Sequence, residues 1–99
     1  AGFDLASLDT RVIDGYVGAG YAIADEAVFK TIATVARLEG LILDPVYTGK
    51  AFHGLLEEIR SGRLAGSDLV FMHTGGTFGL FPQRDQLAPV LAKALSEQQ

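Results

Sequence analysis

Two short stretches carry the residue types that could hold a ligand. Tyr47-Thr48-Gly49 follows the apolar run Leu41-Ile42-Leu43, and Thr74-Gly75-Gly76 follows the apolar run 68–73, DLVFMH. Each pairs hydroxyl groups with glycine, and glycine lets a ligand approach the backbone closely. Two threonine hydroxyls and the flat aromatic Tyr47 could hold a planar ring. A phosphate cradle is less well matched. Gly75-Gly76 lacks the GxGxxG or GxxxxGK[ST] spacing of a nucleotide loop, and Lys50 follows Gly49 without the upstream glycine such a loop needs.

Each of these residues also has a plainer role. Tyr47 can be a buried aromatic whose hydroxyl finds one partner. Thr48 can cap a helix and Gly49 can permit a turn. Lys50 reads as a solvated helix residue, His53 as a structural or surface histidine, and His73 as a satisfied histidine at a strand end. Tyr16 and Tyr21 can pack beneath helices. The two histidines have no Cys or carboxylate partners at ligand spacing, so no metal is expected.

The elements that would position the two stretches follow from periodicity. Residues 11–17 are rich in β-branched and aromatic side chains and read as a strand. Val28, Ile32, Val35 and Ala36 share a helical face, with Asp25 or Glu26 at its positive end and Gly40 as its stop. Leu41 to Leu43 reads as a short buried strand ended by Pro45. Thr48 is the expected N-cap of a helix that buries Ala51, Phe52, Leu55, Leu56 and Ile59 and turns Glu57, Glu58 and Arg60 outward, ending at Ser61-Gly62. Residues 68–73 read as a strand covered on both faces. Residues 87–95 read as a last helix with Pro89 in its first turn. The order predicts an α/β fold, a parallel sheet with helices on both faces. Both loops would then leave the carboxyl edge of the sheet, where ligands bind in such folds.

At 99 residues the chain is one small domain at most, and no repeat or linker divides it. Hydrophobic residues make up 48%, which excludes a disordered tail. The net charge of −4 and the scattered basic residues argue against nucleic-acid binding. The absence of cysteine removes a disulfide scaffold, a thiolate nucleophile and a Cys-based zinc site, and fits a cytoplasmic protein. No apolar run approaches the roughly 20 residues of a membrane span, and no signal peptide is visible. A start at Ala1 in place of Met reads as a processed, cleaved or trimmed piece.

The residues also resemble a known family. DPVYTGKAFHGLLEEIRSG at 44–62, with HTGG at 73–76 and GYAIADEAVFKTIATVARLEG at 20–40, is similar to the C-terminal part of the D-cysteine desulfhydrase and aminocyclopropane-carboxylate deaminase family. These are pyridoxal-phosphate enzymes of fold type II, and the likeness covers residues 16–81. It implies that residues 1–99 are the C-terminal part of a cofactor-binding large domain. It implies Tyr47 and Tyr21 as catalytic tyrosines, with Tyr47, Thr48, Gly49, Thr74, Gly75 and Gly76 around the cofactor, Thr48 or Thr74 lying near the pyridine nitrogen. Deaminases of this family carry Glu where Thr48 stands, and the departure favours the desulfhydrase branch. A neutral hydroxyl strengthens the ring's electron sink less than a carboxylate would, and a good leaving group such as sulfide or sulfite needs less help than a cyclopropane ring.

The implied reaction is α,β-elimination on a small amino acid, releasing pyruvate and ammonia. The lysine that holds the cofactor covalently matches none of Lys30, Lys50 and Lys93, so the implied partner is the N-terminal remainder of the same enzyme, in the same or a separate chain, with a homodimer as the complete form. Two other readings remain at this level. One is a non-catalytic α/β interaction module. The other is a flavodoxin-like or nucleotide-binding domain, weakened by the glycine pattern and the missing acidic ribose reader.

Overall fold

A computed structural model describes Gly2 and residues 4–97. Its elements are helical: a 3₁₀ turn at Leu5–Ser7, helix α1 (Glu26–Glu39), helix α2 (Thr48–Arg60), a 3₁₀ segment at Thr77–Gln83 and helix α3 (Arg84–Ser96).

Helix α1 is the centre of the molecule and packs against both α2 and α3. It begins where its residues say it should. The Asp25 carboxylate accepts from the Val28 amide at 3.0 Å, and Glu26 sits in the positive first turn. It ends at Gly40, which takes the left-handed conformation (φ 67°) while its amide bonds to Ala36 O. Val28, Phe29, Ile32 and Val35 form the core with Leu43, edged by Phe52 of α2, Phe71, and Leu87 and Val90 of α3.

Helix α2 begins differently from the expectation. Thr48 is its first residue and not its cap, and Tyr47 at the N-cap position makes no side-chain cap bond. The capping carboxylate comes from Asp44, which accepts from the amides of Val46 (2.8 Å), Tyr47 (2.7 Å) and Thr48 (3.0 Å). Gly49 lies so close to Ile32 of α1 that a Cβ there would stand 2.8 Å from the Ile32 side chain and would collide with the Asp44 carbonyl. The two helices therefore meet through a glycine. Helix α3 starts at Arg84, three residues earlier than its apolar pattern suggests, and Pro89 lies inside it.

The parallel sheet does not form. Among the described residues the only β-type pairing is an isolated bridge between Gly20 and Ile23. The expected strands 11–17, 41–43 and 68–73 all run without a ladder. The reason lies in where their polar and apolar groups go. A parallel ladder needs a neighbour for each strand's amides and carbonyls and a layer over each face. Here the Ile42 carbonyl is taken by His73 Nε2 at 2.7 Å, and the Asp44 carbonyl by the Gly49 amide at 2.7 Å. Leu43 is buried in the helical core, so its burial needs no sheet. Only part of 68–73 is covered: Phe71 packs against Phe52 at the core edge, whereas Val70 is 95% and Met72 78% exposed. The helix-on-helix core takes in Leu43, with Leu41 and Phe71 at its edge, while Val12, Ile42, Val70 and Met72 of the expected strands stay exposed.

Candidate functional site

The site is built around the turn 44–49. Asp44 is fully buried, and all of its polar groups have partners. Its amide donates to Thr48 Oγ1 at 2.9 Å, and Thr48 Oγ1 donates back to Asp44 Oδ1 at 2.5 Å. Burial opposes ionisation of this carboxyl, but the Thr48 hydroxyl and the amides of Tyr47, Thr48 and Val46 outweigh it and hold its pKa below the ordinary value. Asp44 stays a carboxylate, and its charge faces the positive start of α2.

The second loop closes on the same carboxylate. Gly75 and Gly76 both take positive φ (96° and 91°), and a Cβ at Gly76 would stand 2.7 Å from Asp44 Oδ1. The Gly75 amide bonds to His73 Nδ1 at 3.0 Å. His73, held at both ring nitrogens, pins the loop beside residue 42. Thr48, Gly49 and Gly76 thus meet around Asp44. Thr74 is exposed and Gly75 half-buried. The Thr48 hydroxyl is committed twice to Asp44 and points into the turn.

The tyrosines face the other way. Tyr47 OH donates to Tyr21 OH at 3.3 Å, and the rings meet edge to face with centroids 6.0 Å apart. Tyr47 is 59% and Tyr21 76% exposed, so neither is a packing residue. The hydrogen bond to Tyr21, with burial and the nearby Asp44 charge, raises the Tyr47 pKa, so its hydroxyl keeps its proton. Both rings border a cavity of about 630 Å³ with apolar walls such as Val17, Val46 and Leu55. Lys50 also lines it. Far from solvated, Lys50 is 8% exposed, and its ammonium donates to the carbonyls of Val17 (2.7 Å) and Gly20 (2.9 Å).

Tyr16 and Glu58, which also line the cavity, belong with the exposed Arg63 to a cluster the sequence reading missed. Tyr16 OH donates to Glu58 Oε1 at 2.7 Å, and Arg63 grips the same carboxylate through Nε at 3.1 Å to each oxygen. The Arg63 and Tyr16 bonds hold the Glu58 pKa low. Glu58 is therefore turned inward, against the expectation. Gly54 makes room for Tyr16, whose ring would lie 2.7 Å from a Cβ at that position. Gly54 on the helix was the one sequence signal for this close packing. For Asp44 the signal was the Asp-Pro pair opening a turn. His53 shares a hydrogen bond with Thr31 Oγ1 at 3.0 Å and is structural. Among the described residues, no group of three or more His, Asp or Glu side chains could hold a metal ion.

A family profile described as "Pyridoxal-phosphate dependent enzyme" matches residues 1–75, which include Tyr21, Tyr47, Thr48, Gly49, Thr74 and Gly75. The chain belongs to that family. Two curated proteins are similar to it, each carrying the name "Putative 1-aminocyclopropane-1-carboxylate deaminase". One, from Thermotoga maritima, is 47% identical over 77 residues, covering 78% of this chain and 24% of the relative. The other, from Pyrococcus abyssi, is 41% identical over 90 residues, covering 91% of this chain and 27% of the relative. The chain thus spans about a quarter of the length of these relatives.

The family depends on pyridoxal phosphate. The Tyr21 and Tyr47 side chains border the cavity, whereas Thr74, Gly75 and Gly76 are not among its lining residues, so the expected cofactor-binding residues are not gathered at one place. Lys50 is bound to two carbonyls, Lys30 pairs with Glu26 at 3.0 Å, and Lys93 lies in the groove between α1 and α3. Among the described residues no helix is long and apolar enough to cross a membrane.

Proposed function

We propose that residues 1–99 are the C-terminal part of the cofactor-binding domain of a pyridoxal-phosphate lyase that carries out α,β-elimination on a small amino acid, with D-cysteine or a cysteate-like compound as the substrate class. The observation that carries this reading is the Tyr21–Tyr47 hydroxyl pair, 3.3 Å apart at a cavity mouth, inside the segment matched by the family profile. Bound cofactor supplies an electron sink for the pair left at Cα when its proton is removed. Tyr47, kept protonated, is suited to donate a proton to a departing sulfide or sulfite or to hold the substrate carboxylate, and Tyr21 orients it.

The N-terminal remainder of the enzyme, in the same or a separate polypeptide, supplies the covalent lysine, and the complete enzyme works as a cytoplasmic homodimer.

A second reading, aminocyclopropane-carboxylate deaminase, is favoured by the printed names of the two relatives. Incubating the complete enzyme with D-cysteine, cysteate and aminocyclopropane-carboxylate separates the two. Pyruvate from the sulfur substrates supports elimination, 2-oxobutyrate from the cyclopropane supports ring opening, and neither product with cofactor bound rejects both.

A further inference from the structure

Tyr21 sits on a loop with little regular structure. Between residues 17 and 23 the chain turns through Gly18 (φ 75°) and Ala22 (φ 57°), and the Gly20–Ile23 bridge is its one backbone pairing among the described residues. Such a loop does not by itself hold a hydroxyl within hydrogen-bond reach of another. Lys50 is placed to do so. It lies one turn into α2, three residues after Tyr47, and its ammonium bonds to the carbonyls of Val17 and Gly20, which flank the turn leading into Tyr21. A second tether, Gln83 Nε2 to Ala22 O at 3.0 Å, holds the far side of the same loop.

A buried ammonium is costly unless its donors are used, so its placement between two carbonyls is a commitment of the fold. The compact ammonium can serve two carbonyls from one atom, which the planar fork of arginine does with different geometry.

We propose that Lys50 is a positioning residue: it pins the 17–23 loop to α2 so that the Tyr21 hydroxyl meets that of Tyr47. The inference rests on the proposed role of the two tyrosines. Lys50 acts through Tyr21, because its ammonium is committed to the two loop carbonyls.

The test uses the complete enzyme with cofactor bound and a double-mutant cycle. Lys50→Met keeps the side chain's length and packing and removes the donors. It is expected to lower kcat roughly ten- to hundredfold, as small misplacements of reacting groups do, with a smaller change in KM. On a Tyr21→Phe background it is expected to lower kcat no further. Hydrogen exchange gives a readout independent of activity: amides 18–23 should exchange faster in Lys50→Met, with those of α1 unchanged.

Unchanged exchange in the loop, or equal losses of turnover on both backgrounds, overturns the proposal. Loss of the helical signal or of cofactor in Lys50→Met also overturns it, because the lysine would then hold the fold and not the loop. Wild-type turnover in Tyr21→Phe overturns the reading of the tyrosines and the positioning role with it. That result is distinguishable from failure of Lys50 alone, in which Tyr21→Phe is slow and the two losses simply multiply.

Discussion

The Asp44 carboxylate presses against Gly76: a Cβ on residue 76 would stand 2.7 Å from Oδ1, although 32 positions separate the two in the chain. The contact joins the turn before α2 to the loop after 68–73, and it exists only because residue 76 has no side chain. Gly76→Ala would meet both the carboxylate and a positive φ of 91°. It is expected to destabilise the protein by about 1–3 kcal/mol in denaturant unfolding. Gly75→Ala has the same φ penalty without the contact and should cost less. Gly49→Ala, which meets both the Asp44 carbonyl and Ile32, should cost at least as much as Gly76→Ala.

Asp44 gathers three amides and the Thr48 hydroxyl on two oxygens. Asp44→Asn would turn an NH₂ toward donors and remove the charge, at an expected cost of about 2–3 kcal/mol. Thr48→Val keeps the shape but leaves the buried Asp44 amide unpaired, for about 1–3 kcal/mol, whereas Thr48→Ser should unfold near the wild-type midpoint. Equal midpoints for the valine and serine variants would show that the hydroxyl contributes nothing.

Tyr47→Phe removes the donor of the tyrosine pair without touching the backbone that Asp44 holds. In the complete enzyme it is expected to lower turnover by on the order of 10² while cofactor absorbance stays the same. Unchanged turnover would remove Tyr47 from proton transfer.

Acid should weaken the fold through two carboxylates. Asp44 and Glu58 both have folded-state pKa values below their ordinary ones, Asp44 because its hydrogen bonds outweigh burial and Glu58 because of Arg63 and Tyr16. The stability they contribute is present above the ordinary carboxylate range near about pH 4 and is lost as pH falls through the lower folded values. Melting temperature should therefore hold near neutral pH and drop below about pH 4. Glu58→Gln should flatten that drop. An identical acid profile in the variant would show that Glu58 takes no part.

The helices were legible because their signals are local. Asp25, the spacing of Val28, Ile32 and Val35, and Gly40 each act within a few residues, and the helix follows them closely. The sheet was misjudged because the alternative is non-local: Leu43 reaches the core through helices α1 and α3, while His73 and Gly49 take the carbonyls of 42 and 44. Apolar runs state that burial is wanted and not what will supply it. At the site, Tyr21 and Tyr47 stood out by family likeness, and the structure sets their hydroxyls side by side. Lys50, Asp44 and Glu58 did not stand out, because a charged residue on a helix or at a turn is usually solvated. What buries them is chain arriving from 30 to 42 positions away or a ring of amides that no pattern of side chains announces.

The partly uncovered 68–73 stretch bears on handling as well as on architecture. With Val70 and Met72 facing water and no ladder along its backbone, it offers neighbouring copies an unsatisfied edge. Purified by itself and concentrated, the 99-residue chain should self-associate through this stretch, with Asp68 as its nearest charged gatekeeper.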